Sequence, residues 1–182
     1  MVVHGVNTEE GRVEMFSVAS CTTNSIAPVV EIMNRHFGVV KAIMTTIHGY
    51  TSTQALVDAP NSKDFRRGRA AAANMVPTTT GAAIATTEVL PELREKFDGV
   101  AIRVPVPVGS ISDMVFLLEK DTTVEELTEV FRQEAASDRY KKVLGVTDEP
   151  LVSSDIVGNT YASIVDLAMT KVIDGNLVKV MA

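Results

Sequence analysis

The segment SVASCTTNSIAP, residues 17 to 28, holds the chain's only cysteine, Cys21, between a serine and two threonines. A thiol buried for packing keeps aliphatic company, because it behaves as a small hydrophobe. Cys21 has hydroxyls on both sides instead. The chemistry such a residue offers is nucleophilic addition, which needs the thiolate, and an ordinary thiol is only a few per cent ionised near neutrality. Two devices raise that fraction: the free N–H groups and positive dipole end of a helix that starts at the thiol, and a neighbouring histidine. The chain has three histidines. His36 falls at a predicted helix C-terminus, where a cation is favourable for structural reasons alone, and His4 lies in an opening segment with no evident partner. His48 ends a strand-like run and enters the polar stretch HGYTSTQ, at the kind of strand-to-loop edge where catalytic groups gather. It is the candidate activator. One cysteine and a separate histidine are equally compatible with a buried, inert thiol and a structural imidazole, and both readings stand at this point.

Anion recognition is the second chemistry on offer. TTTG at residues 78–81 puts hydroxyls and a glycine, Thr80 and Gly81 among them, at a predicted helix N-terminus, where free N–H groups and the dipole bind phosphate. Ordinary capping is the alternative. Arg66, Arg67 and Arg69 stand in the adjoining loop and could grip a phosphate bidentately or form a solvated charge run. Arg103 interrupts the apolar alternation of VAIRVPVPV and is predicted to project from the strand's polar face, with a surface ion pair as the competing role. Threonines, a glycine and arginines beside a candidate thiolate point to a small phosphorylated substrate.

The elements that must position these groups alternate between helix-like and strand-like patterns. VVHGVN (2–7) reads as a short strand. Ile26, Val29, Val30, Met33 and Phe37 recur three or four apart, a helical stripe that ends at Gly38 and begins directly after Cys21. Pro28 within that stripe predicts a kink, or else a later start. VVKAIMTTIHGY (39–50) is rich in β-branched residues and reads as a strand delivering His48 to its polar end. Residues 51–69 show no sustained period and predict a long ordered loop, which tends to be functional. TTTGAAIATTEVL (78–90) predicts a helix capped by threonines. DGVAIRVPVPV (98–108) and SISDMVFLLEK (110–120) predict two strands paired antiparallel about Gly109, the first near an edge because of Pro105 and Pro107. TTVEELTEVFRQEAAS (122–137) is the clearest amphipathic helix, capped by Thr122 or Thr123. Several short strands follow to the end. The expected fold is α+β, a largely antiparallel mixed sheet with about three helices on one face.

Composition narrows the function classes. The 182 residues are 46% hydrophobic and 22% charged, which suits one soluble domain with a sizeable core. A net charge of −6 argues against nucleic acid or an anionic membrane as the main partner. One cysteine makes no internal disulfide, and no apolar run approaches the roughly 20 residues a spanning helix needs, so a cytoplasmic location is expected.

ASCTTNSIAP, HGYTSTQ, RRGRAAAANMVPTTTGAA, RVPVPVGS and DLAMTKVIDGNLVKVMA together resemble the catalytic domain of phosphorylating glyceraldehyde-3-phosphate dehydrogenases, in order and with spacing kept over nearly the whole chain. The resemblance implies that Cys21 is the nucleophile, adding to the aldehyde as a thiohemiacetal and holding the acyl group as a thioester until phosphate attacks. It implies that His48 is the thiol's activator and general base. Ser20, Thr22, Thr80 and Gly81 match positions lining the site of the incoming inorganic phosphate, and Thr51 and Arg103 match the site of the substrate's own phosphate. Arg67 matches an arginine close to both, in a loop resembling one that packs between subunits of a homo-oligomer, a tetramer in the family. Glyceraldehyde 3-phosphate and inorganic phosphate are the implied partners, with erythrose 4-phosphate as an alternative substrate and a non-catalytic binding or assembly module on the same fold as an alternative role.

Three residues depart from the pattern: Val18 stands for an asparagine, Gly49 for a serine and Ser25 for a second cysteine. The larger departure concerns the cofactor. Hydride transfer in the family uses NAD or NADP, yet no two of the eleven glycines are two residues apart, so the dinucleotide fingerprint G-x-G-x-x-G is missing. Residues 1–182 are therefore expected to form a single catalytic domain without the family's N-terminal nucleotide-binding domain, to bind the cofactor weakly, and to be inactive in NAD-dependent oxidation when isolated.

Overall fold

The computed structural model describes residues 1–8 and 15–182, and its architecture follows from one long helix and one long strand. Helix α1 spans Cys21–Phe37, with Ser20 as its N-cap accepting a hydrogen bond from the Thr23 N–H at 3.1 Å. Pro28 sits inside it without ending it, so the anticipated later start does not occur. The proline removes a single donor, and the apolar stripe holds the turns on either side. Ile26, Ile32 and Met33 are fully buried, each contributing about 1.5–3 kcal/mol by leaving water. Gly38 closes the helix with a φ of 71°, its N–H donating to Asn34 O.

Strand β1 (Val39–Gly49) follows at once and lies near the centre of a seven-stranded sheet. The others are β2 (Val76–Thr79), β3 (Phe97–Val104), β4 (Ser110–Leu118), β5 (Leu144–Thr147), β6 (Ser163–Ile173) and β7 (Leu177–Met181), in the order β2-β3-β1-β4-β7-β6-β5. Two neighbouring pairs, β1/β3 and β5/β6, are parallel; the remaining four are antiparallel. Helices α2 (Ala82–Val89) and α3 (Val124–Ala136) complete the layer begun by α1, and α4 (Ser153–Ile156) adds one turn. Met44, Met114, Phe116, Val165, Val178 and Val180 from the strands share one core cluster with Ile26, Ala83 and Phe131 from the helices. The helices therefore cover one face, while Ile43, Val100 and Ile111, in the opposite strand phase, stay exposed, as does Met169 at the register shift of β6. The α+β expectation is borne out. Among the described residues no helix is long and apolar enough to cross a membrane.

Four local expectations are corrected. Residues 2–7 form a turn, not a strand: Val6 and Asn7 N–H both donate to Val3 O, and Gly5 has a φ of 79° with the Tyr140 ring 2.7 Å from where a Cβ would stand. Strands β3 and β4 do not pair; β1 lies between them, parallel to β3 and antiparallel to β4. Eleven residues of β1 offer backbone groups on both edges, and satisfying both is worth more than a local hairpin. The connection 105–109 consequently arches over the end of β1, with Gly49 N–H donating to Gly109 O at 3.0 Å. The threonines of 78–81 do not cap α2 in the expected way: Thr78 and Thr79 belong to β2, and Gly81 is the N-cap with no side-chain bond. Among the short strands expected toward the end, one is replaced by the short α4, Ser153–Ile156.

Candidate active site

Cys21 is the first residue of α1, which starts at the carboxyl end of β1. Its side chain is exposed, and Sγ lies 3.6 Å from His48 Nε2. The turn that delivers it is strained. Ala19 takes a φ of 64°, a left-handed value that costs a residue with a Cβ roughly 1–2 kcal/mol. Asn24 reaches back to hold that turn, its Nδ2 donating to Val18 O at 2.7 Å and to Ser20 O at 2.9 Å. The free N–H groups and dipole of a helix N-terminus supply the polarity that a thiolate or an oxyanion requires.

His48 is the penultimate residue of β1, with Arg103 opposite it on β3 and Ser110 opposite it on β4. Its Nδ1 lies 2.6 Å from Gly49 O and 2.6 Å from Arg103 Nη1, and Arg103 Nη1 also donates to Gly49 O at 3.1 Å. Arg103 was expected on the polar face of its strand. It continues the phase of buried Phe97 and Ala101 instead, on the face the helices cover, and has no carboxylate partner among the described residues. Burial lowers its guanidinium below the ordinary arginine value; Cys21 opposes that and Arg67 adds to it. Its Nε is buried without a hydrogen-bond partner.

The remaining candidate residues fall into three groups. Ser20 and Thr22 flank Cys21; Ser20 caps the helix and shares a 2.8 Å contact with Thr23 Oγ1, while Thr22 is 5% exposed. Thr80 and Gly81 open α2, with Thr80 Oγ1 accepting from Ala82 N–H at 3.2 Å and open space where a Gly81 side chain would stand. Arg67 does not bond to either: its Nε donates to Thr78 Oγ1 at 2.9 Å, its Nη2 to Thr79 Oγ1 at 3.3 Å, and Asp64 lies 3.2 Å away. Thr51 begins a tight turn, its N–H donating to Gln54 Oε1 at 2.8 Å. Cys21, His48 and Arg103 are thus brought into one contacting set, and among the described residues Thr22, Thr51 and Thr80 make no direct bond to it.

The arrangement is a thiol at a helix N-terminus facing an imidazole, beside an arginine and several hydroxyls. Residues 20–182 match the family model of the glyceraldehyde 3-phosphate dehydrogenase C-terminal domain. The chain belongs to that family. It is 51% identical over 175 residues to glyceraldehyde-3-phosphate dehydrogenase of Haloarcula vallismortis, covering 96% of this chain and 52% of the relative. It is 46% identical over 183 residues to glyceraldehyde-3-phosphate dehydrogenase 2 of Streptomyces avermitilis, covering 99% of this chain and 54% of the relative. The chain spans about half the length of these relatives.

Within the family frame, three structural participants were not singled out from sequence. Asn24 gave no signal beyond its place in the motif, the left-handed Ala19 has none, and the Gly49 carbonyl is a backbone group. Gly49 itself explains a departure from the family pattern. A Cβ there would lie 2.7 Å from Val106 O and 3.4 Å from Val108 N, backbone atoms of the arch over β1. The described residues do not fit a dinucleotide: β1 runs into the long loop 50–75 with no glycine-rich turn leading straight into a helix, so nothing here cradles a pyrophosphate.

Proposed function

We propose that this chain is the catalytic half of a phosphorylating glyceraldehyde-3-phosphate dehydrogenase. The observation that carries the proposal is the 3.6 Å approach of Cys21 Sγ to His48 Nε2 at the start of α1. In this reading His48 Nε2 takes the thiol proton and Sγ bonds to the aldehyde carbon of glyceraldehyde 3-phosphate. The carbonyl oxygen gains negative charge facing the N–H groups of α1 and receives the proton back, giving the thiohemiacetal. A nicotinamide cofactor, NAD or NADP, bound by residues outside this set would supply the hydride acceptor that turns the thiohemiacetal into a thioester, with His48 Nε2 placed to take the hydroxyl proton. In the closing step an oxygen of inorganic phosphate attacks the thioester carbonyl, the C–S bond breaks, and the thiolate returns to Cys21.

Thr51 and Arg103 are assigned to the substrate's phosphate, and Ser20, Thr22, Thr80 and Gly81 to the incoming phosphate, with Arg67 near both. Half-buried Thr80 and exposed Gly81 at the start of α2, and a half-buried guanidinium without a carboxylate partner, support an anion as the missing partner. The loop residues Leu56, Val57, Phe65 and Met75 are exposed apolar groups, which supports a homo-oligomer, a tetramer by family analogy. A lone exposed thiol suits the reducing cytoplasm.

The test combines the chain with a separately supplied nucleotide-binding half and follows NAD reduction. Turnover dependent on glyceraldehyde 3-phosphate and phosphate, and abolished by Cys21→Ser, is the expected result. Turnover that survives Cys21→Ser removes the assignment.

A further inference from the structure

One nitrogen of His48 has two incompatible neighbours. Nδ1 lies 2.6 Å from the carbonyl oxygen of Gly49, which can only accept, and 2.6 Å from Arg103 Nη1, which can only donate. A neutral imidazole carries its proton on one nitrogen. If Nδ1 carries it, the ring donates to Gly49 O and Nε2 is left with a lone pair facing Cys21 Sγ. If Nδ1 accepts from Arg103, the proton sits on Nε2, and the nitrogen facing the thiol has no room for another. Only the first arrangement can take a proton from Cys21.

Arg103 is poised to decide between them. It also donates to Gly49 O at 3.1 Å, and from there its N–H faces Nδ1 at 2.6 Å, where a second proton on Nδ1 would meet a donor head-on. No carboxylate holds it there among the described residues, and its Nε has no partner. The charged or titratable groups facing this corner are Cys21 from α1, Arg103 from β3 and Arg67 from the loop before β2; the β4 position opposite His48 is Ser110. Apart from the Cys21 sulfur, which is an acceptor of charge only once deprotonated, the strong acceptor left for Arg103 is external, an anion.

We propose that Arg103 is a positioning residue that gates the base: against Nδ1 it holds His48 in the Nε2-protonated tautomer, and a phosphate ester that draws it away releases Nδ1 to donate to Gly49 O and frees Nε2 to deprotonate Cys21. This rests on the assignment of Arg103 to the substrate's phosphate made above. Its consequence is that a phosphorylated aldehyde is favoured over an unphosphorylated one in the chemical step as well as in binding.

The test reads the tautomer directly, by nitrogen NMR of the histidine-labelled chain at a pH where the ring is neutral, with His48→Asn assigning the signals. The probe is glycerol 3-phosphate, which carries the ester but no aldehyde. The free chain is expected to be protonated at Nε2. Saturating probe, and separately Arg103→Gln without probe, should each shift the tautomer ratio toward Nδ1–H by about tenfold, the ratio that one hydrogen bond commands. An Nδ1–H ring in the free chain overturns the gate, as does a tautomer that ignores bound probe while the amide resonances of Thr51 and Gly49 move. Amide resonances that never move overturn the phosphate-site assignment and the anion gate with it. The Arg103→Gln spectrum, which needs no ligand, still reports whether the arginine sets the tautomer, and an unchanged ratio there overturns that element on its own. Should Arg103→Gln fail to fold, the probe titration of the parent chain decides.

Discussion

Asn24 Nδ2 donates to Val18 O across six residues, at 2.7 Å, and so ties the first turn of α1 to the chain entering it. The same amide donates to Ser20 O at 2.9 Å. Between the two carbonyls lies the left-handed Ala19, a conformation that persists only where its surroundings enforce it. Asn24→Ala should lower stability by about 1 kcal/mol, one exposed pair of hydrogen bonds, and slow alkylation of Cys21 by iodoacetamide several-fold. Urea denaturation and alkylation kinetics on the same sample check both. A loss of stability with unchanged alkylation would confine Asn24 to a packing role.

Ser20 has two duties that a pair of variants separates. As N-cap it accepts from Thr23 N–H, and Ser20→Ala should cost about 1 kcal/mol. Ser20→Asp keeps an acceptor there and should recover most of that loss, yet its charge beside Cys21 should slow alkylation and weaken phosphate binding. If Ser20→Asp alkylates as fast as the parent, no anion or thiolate forms near this position.

The arch over β1 leaves Gly49 little room for a side chain. The added Cβ meets Val106 O at 2.7 Å, and backbone does not yield cheaply. Gly49→Ser should destabilise by about 1–3 kcal/mol and disturb the carbonyl that His48 Nδ1 contacts. A urea midpoint equal to the parent's would show that the 105–109 connection moves freely.

Glu134 of α3 joins the C-terminal turn of α1, its Oε2 2.9 Å from Arg35 and its Oε1 2.8 Å from His36. Burial alone would raise this carboxyl, but the bonds from Arg35 and His36 outweigh it and hold it below the usual carboxylate range. The unfolded chain therefore takes up this proton first on acidification. The contribution is present above the unfolded-state carboxylate value, about 4.3, and is lost as pH falls through the folded-state value. The stability difference between parent and Glu134→Gln should shrink as pH is taken down through about 4.3 and below, read from urea midpoints. A difference constant over that window contradicts the linkage.

Helix α1, β1 and α3 were legible because each carries a sustained period and a cap: Ile26 to Phe37 with Gly38, the β-branched run 39–49, and Thr123 before Val124. The insertion of β1 between β3 and β4 was not, because strand order depends on which edges are free in the assembled sheet, and a proline-bearing connection around Gly109 looks the same for a hairpin or an arch. Cys21 and His48 were legible as residue types at a helix start and a strand end. The face that Arg103 occupies was hidden, since Val, Ile and Ala flank it in both phases and only the register with His48 fixes which side is covered. Arg67's engagement with Thr78 and Thr79 was hidden for the same reason: two of the TTTG threonines lie in β2, beside the arginine.

The central claim, that Cys21 is a nucleophile served by His48, is tested most directly by p-nitrophenyl acetate with the chain alone, following p-nitrophenol release and locating the acetyl group by mass spectrometry. The expected result is one acetyl per chain on Cys21, none in Cys21→Ser, and acetylation about 100-fold slower in His48→Asn, the loss typical of a missing general base. Release of p-nitrophenol at the parent rate by Cys21→Ser, or an acetyl group on any other residue, would contradict it.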